Sequence, residues 1–332
     1  MTWVAWRQYR LQGAVAVALL AAFAAAELTT GFQMAAAWHS LLPACAGTAP
    51  QRGQPAACSG NGIIGVLGND LRVLSVLVPA LAGMLLGAPL VAHEIETGTT
   101  SFAWTQGITR TRWLLVKTGW LLLAAAVCGG AVSVLVTFWS GPVNAMRADQ
   151  FSGNFFDTQG LVPAGYAVFA TALGIAAGAL LRRTLPAIAV TAGVFIAVRV
   201  LIAGQLRPHL MPAVTTVVSM TSTWSPPGIA WVFGGSVISR SGQVLTSNIG
   251  VNGVPLTAAC AKLLPASPVT ADRGDPAAAA LSCMQSAGFR QAVTYQPAWR
   301  YWPFQGIETG VYLLLAAGLV AVAWYALRRR DA

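Results

Sequence analysis

HEIETGTTSFAWTQGITRTRWLLVK, His93–Lys117, lies between two apolar runs and mixes carboxylates, glycines, aromatic residues and bases. A polar stretch of this make-up between greasy segments reads as a loop joining two membrane helices, with its bases kept on one side of the bilayer. Outward from it run Leu71–Ala92 and Trp113–Trp139. Each is long enough, at the rise of an α-helix, to cross a hydrocarbon core of about 30 Å.

The rest of the chain follows the same pattern. Hydrophobic residues make up 56% and charged residues only 9%, against roughly a quarter charged in soluble domains, so the sequence is that of an integral membrane protein. Further apolar segments lie at Gly13–Met34, Leu161–Leu181, Leu185–Ala203 and Gly310–Leu327. The first follows Arg7 and Arg10 but is about twice the length of a signal-peptide core and lacks a cleavage site, so it reads as a span. The expected fold is mainly α, a polytopic protein with six transmembrane helices and a small α+β extracytoplasmic domain between helices five and six. Residues 1–12 form an N-terminal interfacial segment, 13–203 carry helices one to five with the loop 93–117, 204–309 form the external domain, and 310–332 supply helix six and a basic tail. The net charge of +10 does not indicate nucleic acid, because no basic stripe with a groove-reading helix occurs.

Polar features within this frame are few. Trp3, Trp6 and Tyr9 recur at helical steps of three beside Arg7 and Arg10. That segment reads either as an amphipathic helix in the inner interface or as a basic flank with Trp anchors. Glu27 falls inside span one and Arg199 near the outer end of span five. Charges at membrane depth are costly unless they meet protein, water or each other. Both are therefore candidate pathway residues; the other reading of Glu27 places it near the outer interface where water reaches it, and that of Arg199 has it snorkelling outward or pairing with Glu27. Gly174 and Gly178 are spaced for close helix approach. Ser140–Gly160, with Arg147, Asp149 and Asp157, reads as an external loop. In the external domain, Ser236–Ser247 alternates around Ser241-Gly242 as a hairpin, Asn252-Gly253 marks a turn, Pro276–Ser286 suits a short helix and Phe289–Tyr295 a strand.

The positive-inside rule orients the chain. Arg7, Arg10, Arg110, Arg112, Lys117, Arg182, Arg183 and Arg328–Arg330 fall together in short segments on one side, which makes it cytoplasmic with both termini. The expected location is the plasma membrane, multi-pass. Cys45, Cys58, Cys260 and Cys283 then face outward, with Cys128 inside a span. Four such cysteines allow three pairings, and the pairing that closes the shorter loops is Cys45–Cys58 with Cys260–Cys283. No tight Cys or His spacing suggests a metal, and His39, His93 and His209 are far apart.

Enzyme signatures are absent from the sequence. There is no G-x-x-x-x-G-K-[ST], no H-E-x-x-H and no G-x-S-x-G, so the chain is not expected to be an enzyme by itself, and no catalytic, cofactor or metal residue is assigned. The loop itself has readable local physics. Glu94 and Glu96 close span two, Gly98 permits a break, and Thr99, Thr100 or Ser101 suits the cap of a short helix ending at Gly107. Phe102 and Trp104 on that helix form either a knob for a soluble partner's groove or a pair of anchors in the lipid interface.

The run from Glu94 to Lys117 resembles the cytoplasmic loop between spans two and three in permease subunits of type-2 ABC exporters, particularly an actinobacterial-type class. The residues that carry the resemblance are Glu94, Glu96, Gly98, Thr99, Ala103–Gln106, Arg110, Arg112, Trp113 and Lys117. MTWVAWRQYR at the start and YQPAWRYWPFQGIE, Tyr295–Glu308, resemble the same class. The resemblance implies a permease that pairs with a second copy of itself as a homodimer and couples to a separate cytoplasmic ATPase carrying ATP and Mg, with no cofactor on this chain. Phe102, Trp104 and Gln106 would dock in the ATPase, supported by Glu94, Glu96, Arg110 and Arg112. The resemblance also implies export of amphipathic or lipid-like molecules, antibiotics or peptides. The competing expectation is a membrane receptor or accessory scaffold that binds through its external domain.

Overall fold

The computed structural model describes residues 110–147, 151, 153–219, 230–247 and 282–329, with scattered positions within 14–39 and 78–96. It divides into two compact units, a helical one and one formed by Met211–Tyr301 with Ala148–Phe151. The helical unit contains α1 (Arg110–Arg147), α2 (Val162–Leu181), α3 (Thr184–Leu201) and α4 (Tyr301–Arg329). Among the described residues, four helices are long and apolar enough to cross a membrane. Most of the first expected span and less than half of the second lie among the described residues, and their described positions, such as 20–33 and 87–89, are helical.

Helix α2 is the centre of this unit. Inside the protein, 83% of its apolar stretch is buried, against 22–28% for the other three. Its Ala- and Gly-rich sequence makes this possible, because small side chains bring backbones together and leave the large apolar residues of neighbouring helices to face lipid. Val91, with Ile175, Ala176 and Ala179 of α2 and Ala323 and Leu327 of α4, forms one buried cluster. Val168 and Ala172 pack on Ala316 of α4 and on Leu122 and Ala126 of α1. Ala177 packs with Ala88 and with Ala187 of α3. Backbones come closest at glycines. A Cβ at Gly178 would lie 2.7 Å from the Ala88 carbonyl oxygen, and one at Gly129 would lie 2.6 Å from that of Pro163.

Helix ends follow local chemistry. Pro163 sits in the first turn of α2, where a missing N–H costs nothing. Arg182 ends α2 in the left-handed region at φ 56°, donating its N–H to Gly178 O, and Arg183 is extended before α3 begins. After Leu201 the chain continues helically, widening to a π-helix over Ile202–Leu206 and tightening to a 3-10 turn at Arg207–His209.

The second unit holds a four-stranded antiparallel sheet, ordered β1-β4-β2-β3, from β1 (Val214–Ser219), β2 (Trp231–Ile238), β3 (Val244–Ser247) and β4 (Arg290–Gln296). The hairpin expected at Ser236–Ser247 forms with Ser236 opposite Ser247, and Gly242 takes φ +84° in its turn. Gln296 donates to Met211 O at 2.8 Å, and Arg300 donates to Pro212 O and to Gln296 Oε1, both at 2.6 Å. Residues 282–286 are helical; Asn252-Gly253 lies outside the described residues.

Three expectations change. Ser140–Gly160 is not a plain loop: α1 runs on to Arg147, and Phe155–Gln159 are buried. The last helix starts at Tyr301, not Gly310, because Gln305 and Glu308 find buried partners within the helical unit. Residues Gly204–Leu210 likewise group with the helices rather than with the sheet.

The glycine contacts give a direct check. Gly129→Leu should lower stability by about 1–3 kcal/mol through overpacking, whereas Gly130→Leu, whose added Cβ meets nothing within 4 Å, should be close to neutral. Thermal unfolding of the two purified variants distinguishes them, and equal midpoints would contradict the close crossing of α1 and α2.

Candidate functional site

Among the described residues of the helical unit, a cluster of buried charged side chains lies at one end of the bundle, where α2 begins, the extension of α3 ends and α4 has completed two turns. Its foundation is the start of α2. Gly160, at φ +75°, turns the chain so that the N–H groups of Leu161 and Val162 both donate to Gln305 Oε1, at 2.9 and 3.0 Å. Those are orphan donors of a helix start, which need a partner when buried. Gln305 returns Nε2 to Phe156 O at 2.9 Å. From α1, Ser133 donates to Gly160 O at 2.8 Å, and Gln159 Nε2 donates to Ser140 Oγ at 2.7 Å. The segment before α2 is thus held by α1 and α4.

That segment carries Asp157, around which the charges gather. Asp157 Oδ2 accepts from Arg199 of α3 at 2.7 Å, and Oδ1 accepts from Arg207. Arg207 also donates Nε to Glu308 Oε2 at 2.7 Å and NH2 to Oε1 at 2.8 Å, a two-point hold of the kind that favours arginine. Tyr166 OH lies 3.0 Å from Asp157 Oδ1 and 3.1 Å from Glu308 Oε1. With a single proton, it donates to one carboxylate at a time. The side chains of Arg207 and Glu308 are 3% and 0% exposed, and Arg199 is more open at 23%.

Two carboxylates face two guanidinium groups, so their formal charges balance. Burial of such groups is tolerated only when the remaining donors and acceptors are also used. Aromatic rings complete the wall: Arg207 lies 4.2 Å from the Phe156 ring centroid, Arg199 5.3 Å from that of Tyr166, and Tyr312 meets Tyr166 edge to face at 4.8 Å. Tyr312 OH is buried without a hydrogen-bond partner among the described residues. The arrangement can clamp α2, α3 and α4 together. Among the described residues, no three His, Cys, Asp or Glu side chains are grouped to hold a metal ion.

The structure places the residues singled out in the sequence as follows. Arg199 pairs with Asp157 rather than Glu27. Glu27 is 1% exposed on the first helical stretch. Glu96 reaches the start of α3, where Thr184 donates its N–H to Oε1 at 3.0 Å and its hydroxyl to Oε2 at 2.6 Å. Arg110 and Arg112 begin α1. Glu94, Gly98, Thr99, Phe102, Trp104 and Gln106 lie outside the described residues, as do Cys45, Cys58 and Cys260. Cys128 is free, and Cys283 is disulfide-bonded to a partner outside the described residues.

Sequence reasoning missed Asp157, Tyr166, Arg207, Gln305 and Glu308. Asp157 reads as part of an external loop and Tyr166 as part of span four, and Arg207, Gln305 and Glu308 fall in the stretch read as the external domain. A signal existed for the last two, since both lie in the Tyr295–Glu308 stretch that carries part of the resemblance.

Four apolar helices, one of them walled in by the others, and a neutralised charge cluster at one end of the bundle define a membrane-embedded helical protein. Residues 17–207, more than half of the chain, match the family model described as ABC-2 membrane transporter related, and the chain belongs to that family. No curated protein and no solved structure matches it.

Breaking the clamp has a measurable cost. Arg207→Met leaves buried Glu308 without its guanidinium partner and Asp157 with Arg199 alone, and should destabilise by about 3–5 kcal/mol. The double variant Arg207→Met with Glu308→Gln, which removes the stranded charge, should recover part of the loss. Unfolding midpoints in detergent test this; a double variant less stable than the single would contradict the charge-balance account.

Proposed function

We propose that this chain is the permease subunit of an ATP-driven exporter, of the actinobacterial-type class, working as two copies with a separate cytoplasmic ATPase. The family match over residues 17–207 carries the reading, since permeases of this family generally work with such an ATPase. The sequence adds that no phosphate-binding P-loop is present, so ATP and Mg belong to the partner and the chain itself is no enzyme. The receptor or scaffold alternative is not favoured by the family.

In this reading six spans cross the plasma membrane, both termini are cytoplasmic, and the sheet-bearing unit with its Cys260–Cys283 and Cys45–Cys58 bridges is external. The basic residues of the loop and of Arg182, Arg183 and Arg328–Arg330 support that orientation. The clamp of Asp157, Arg199, Arg207 and Glu308 then sits at the outer ends of the helices. The loop 93–117 meets the ATPase at the inner ends, with Phe102, Trp104 and Gln106 docking and Glu94, Gly98, Thr99, Arg110 and Arg112 shaping the contact. Glu27 and Arg199 are the polar groups assigned to the route, against a wall otherwise of lipid and apolar side chains.

Replacing both Phe102 and Trp104 by Ala should cut co-purification of the ATPase or substrate-stimulated turnover by about tenfold or more, the scale of a single interface hot spot, while the chain remains folded. Unchanged association and turnover would remove the docking assignment. Glu27→Gln should slow transport; transport at the normal rate would show Glu27 to be outside the route.

A further inference from the structure

Glu96 does something more specific than flank the loop. Helix α3 starts after Arg183, which offers no side-chain cap of its own, so the first N–H of the helix needs an acceptor from elsewhere. Glu96, 88 positions earlier in the chain, supplies it: one carboxylate oxygen accepts the Thr184 N–H at 3.0 Å and the other accepts the Thr184 hydroxyl at 2.6 Å. A negative charge there also suits the positive end of the helix dipole.

The surroundings give this contact mechanical meaning. The helical stretch before Glu96 is locked to α2 through backbone approach at Gly178, where an added Cβ would lie 2.7 Å from Ala88 O and 3.3 Å from Ala92 N. Helix α2 passes to α3 through only Arg182 and Arg183. At its far end, α3 carries Arg199 and leads into Arg207, the two guanidinium groups of the buried clamp. Helix α3 is therefore tied at its start to the loop and near its end to α2 and α4.

The geometry points to Glu96 as a positioning residue that transmits movement of the loop 93–117 to α3 through its two-point hold on Thr184. This rests on the permease reading above and deepens it: Phe102 and Trp104 would bind the ATPase, whereas Glu96, expected from the resemblance to support that contact, has both carboxylate oxygens on Thr184 and would instead pass the displacement onward. A docking residue and a transmitting residue respond differently to mutation. Loss of docking weakens association with the ATPase. Loss of transmission leaves association intact and uncouples hydrolysis from transport.

The test uses the full chain, with Glu96→Ala, Thr184→Val and the double variant. In the chain alone, hydrogen exchange of the peptide spanning Arg183–Ile188 should be about fivefold faster in Glu96→Ala, the scale of losing one helix cap; an unchanged rate overturns the tether. With the ATPase bound, Glu96→Ala should lower transport per ATP hydrolysed by about fivefold or more, the lower range of coupling between sites, with association unchanged. Thr184→Val, which removes only the hydroxyl, should act in the same direction but more weakly, and the double variant should be no worse than Glu96→Ala. Normal coupling in Glu96→Ala, additive losses in the double variant, or weakened ATPase association in Glu96→Ala alone would overturn the inference and leave the permease reading standing. A wild-type chain that holds no ATPase would overturn that reading and transmission with it, while the exchange measurement still reports on the tether.

Discussion

The guanidinium of Arg207 is the constraint on which the helical unit depends. Left alone at 3% exposure, it would carry a desolvation cost of several kcal/mol. Asp157 and Glu308 remove most of that cost only if the segment before α2, the extension of α3 and the second turn of α4 all arrive at one point. Because Glu308 belongs to α4, the same requirement fixes where that helix starts. Because Arg207 follows a π-helix, it also accounts for why the chain beyond Leu201 stays helical instead of leaving the bundle at once. A charge that must be matched thus sets the register of three helices.

Packing around α2 works by a different rule. Its neighbours are held by area and proximity, with no charge inside the apolar stretch, and the contacts at Gly129 and Gly178 are possible only because those positions lack a side chain. The clamp fixes one end of the bundle in a single geometry, whereas the small-residue crossings allow helices to lie close along their length. The two devices share α2: Tyr166, one turn into the helix, joins the charged end, and Gly178, near its last turn, joins the opposite end.

Much of this architecture was readable from composition alone. The limits of α2 and α3 follow from apolar length and from the paired bases Arg182 and Arg183, and the hairpin at Ser236–Ser247 follows from alternation around Ser241-Gly242. The charged cluster was not readable in the same way. Asp157 has Phe155, Phe156, Thr158 and Gln159 beside it, a mixture with no period, and its burial is created by Arg207, fifty positions later. Glu308 falls at the end of the stretch 204–309 read as the external domain, just before the apolar run Gly310–Leu327. Hydropathy reports what each residue prefers, and long-range pairing decides where these residues go. Glu96 shows the same limit: its place in the loop was legible, but its hold on Thr184 requires α3 to return beside span two.

Helix α2 is the least apolar of the four spans and the most enclosed. A helix that rarely meets lipid is released from the need to be greasy, and Thr171 already sits buried at its middle, its hydroxyl satisfied by Ala167 O at 2.7 Å. Evolutionary drift along α2 is therefore restricted by volume more than by polarity: Ser fits where Ala stands, and Leu does not. In the outer helices the restriction is reversed, with bulk free to vary and polarity selected against.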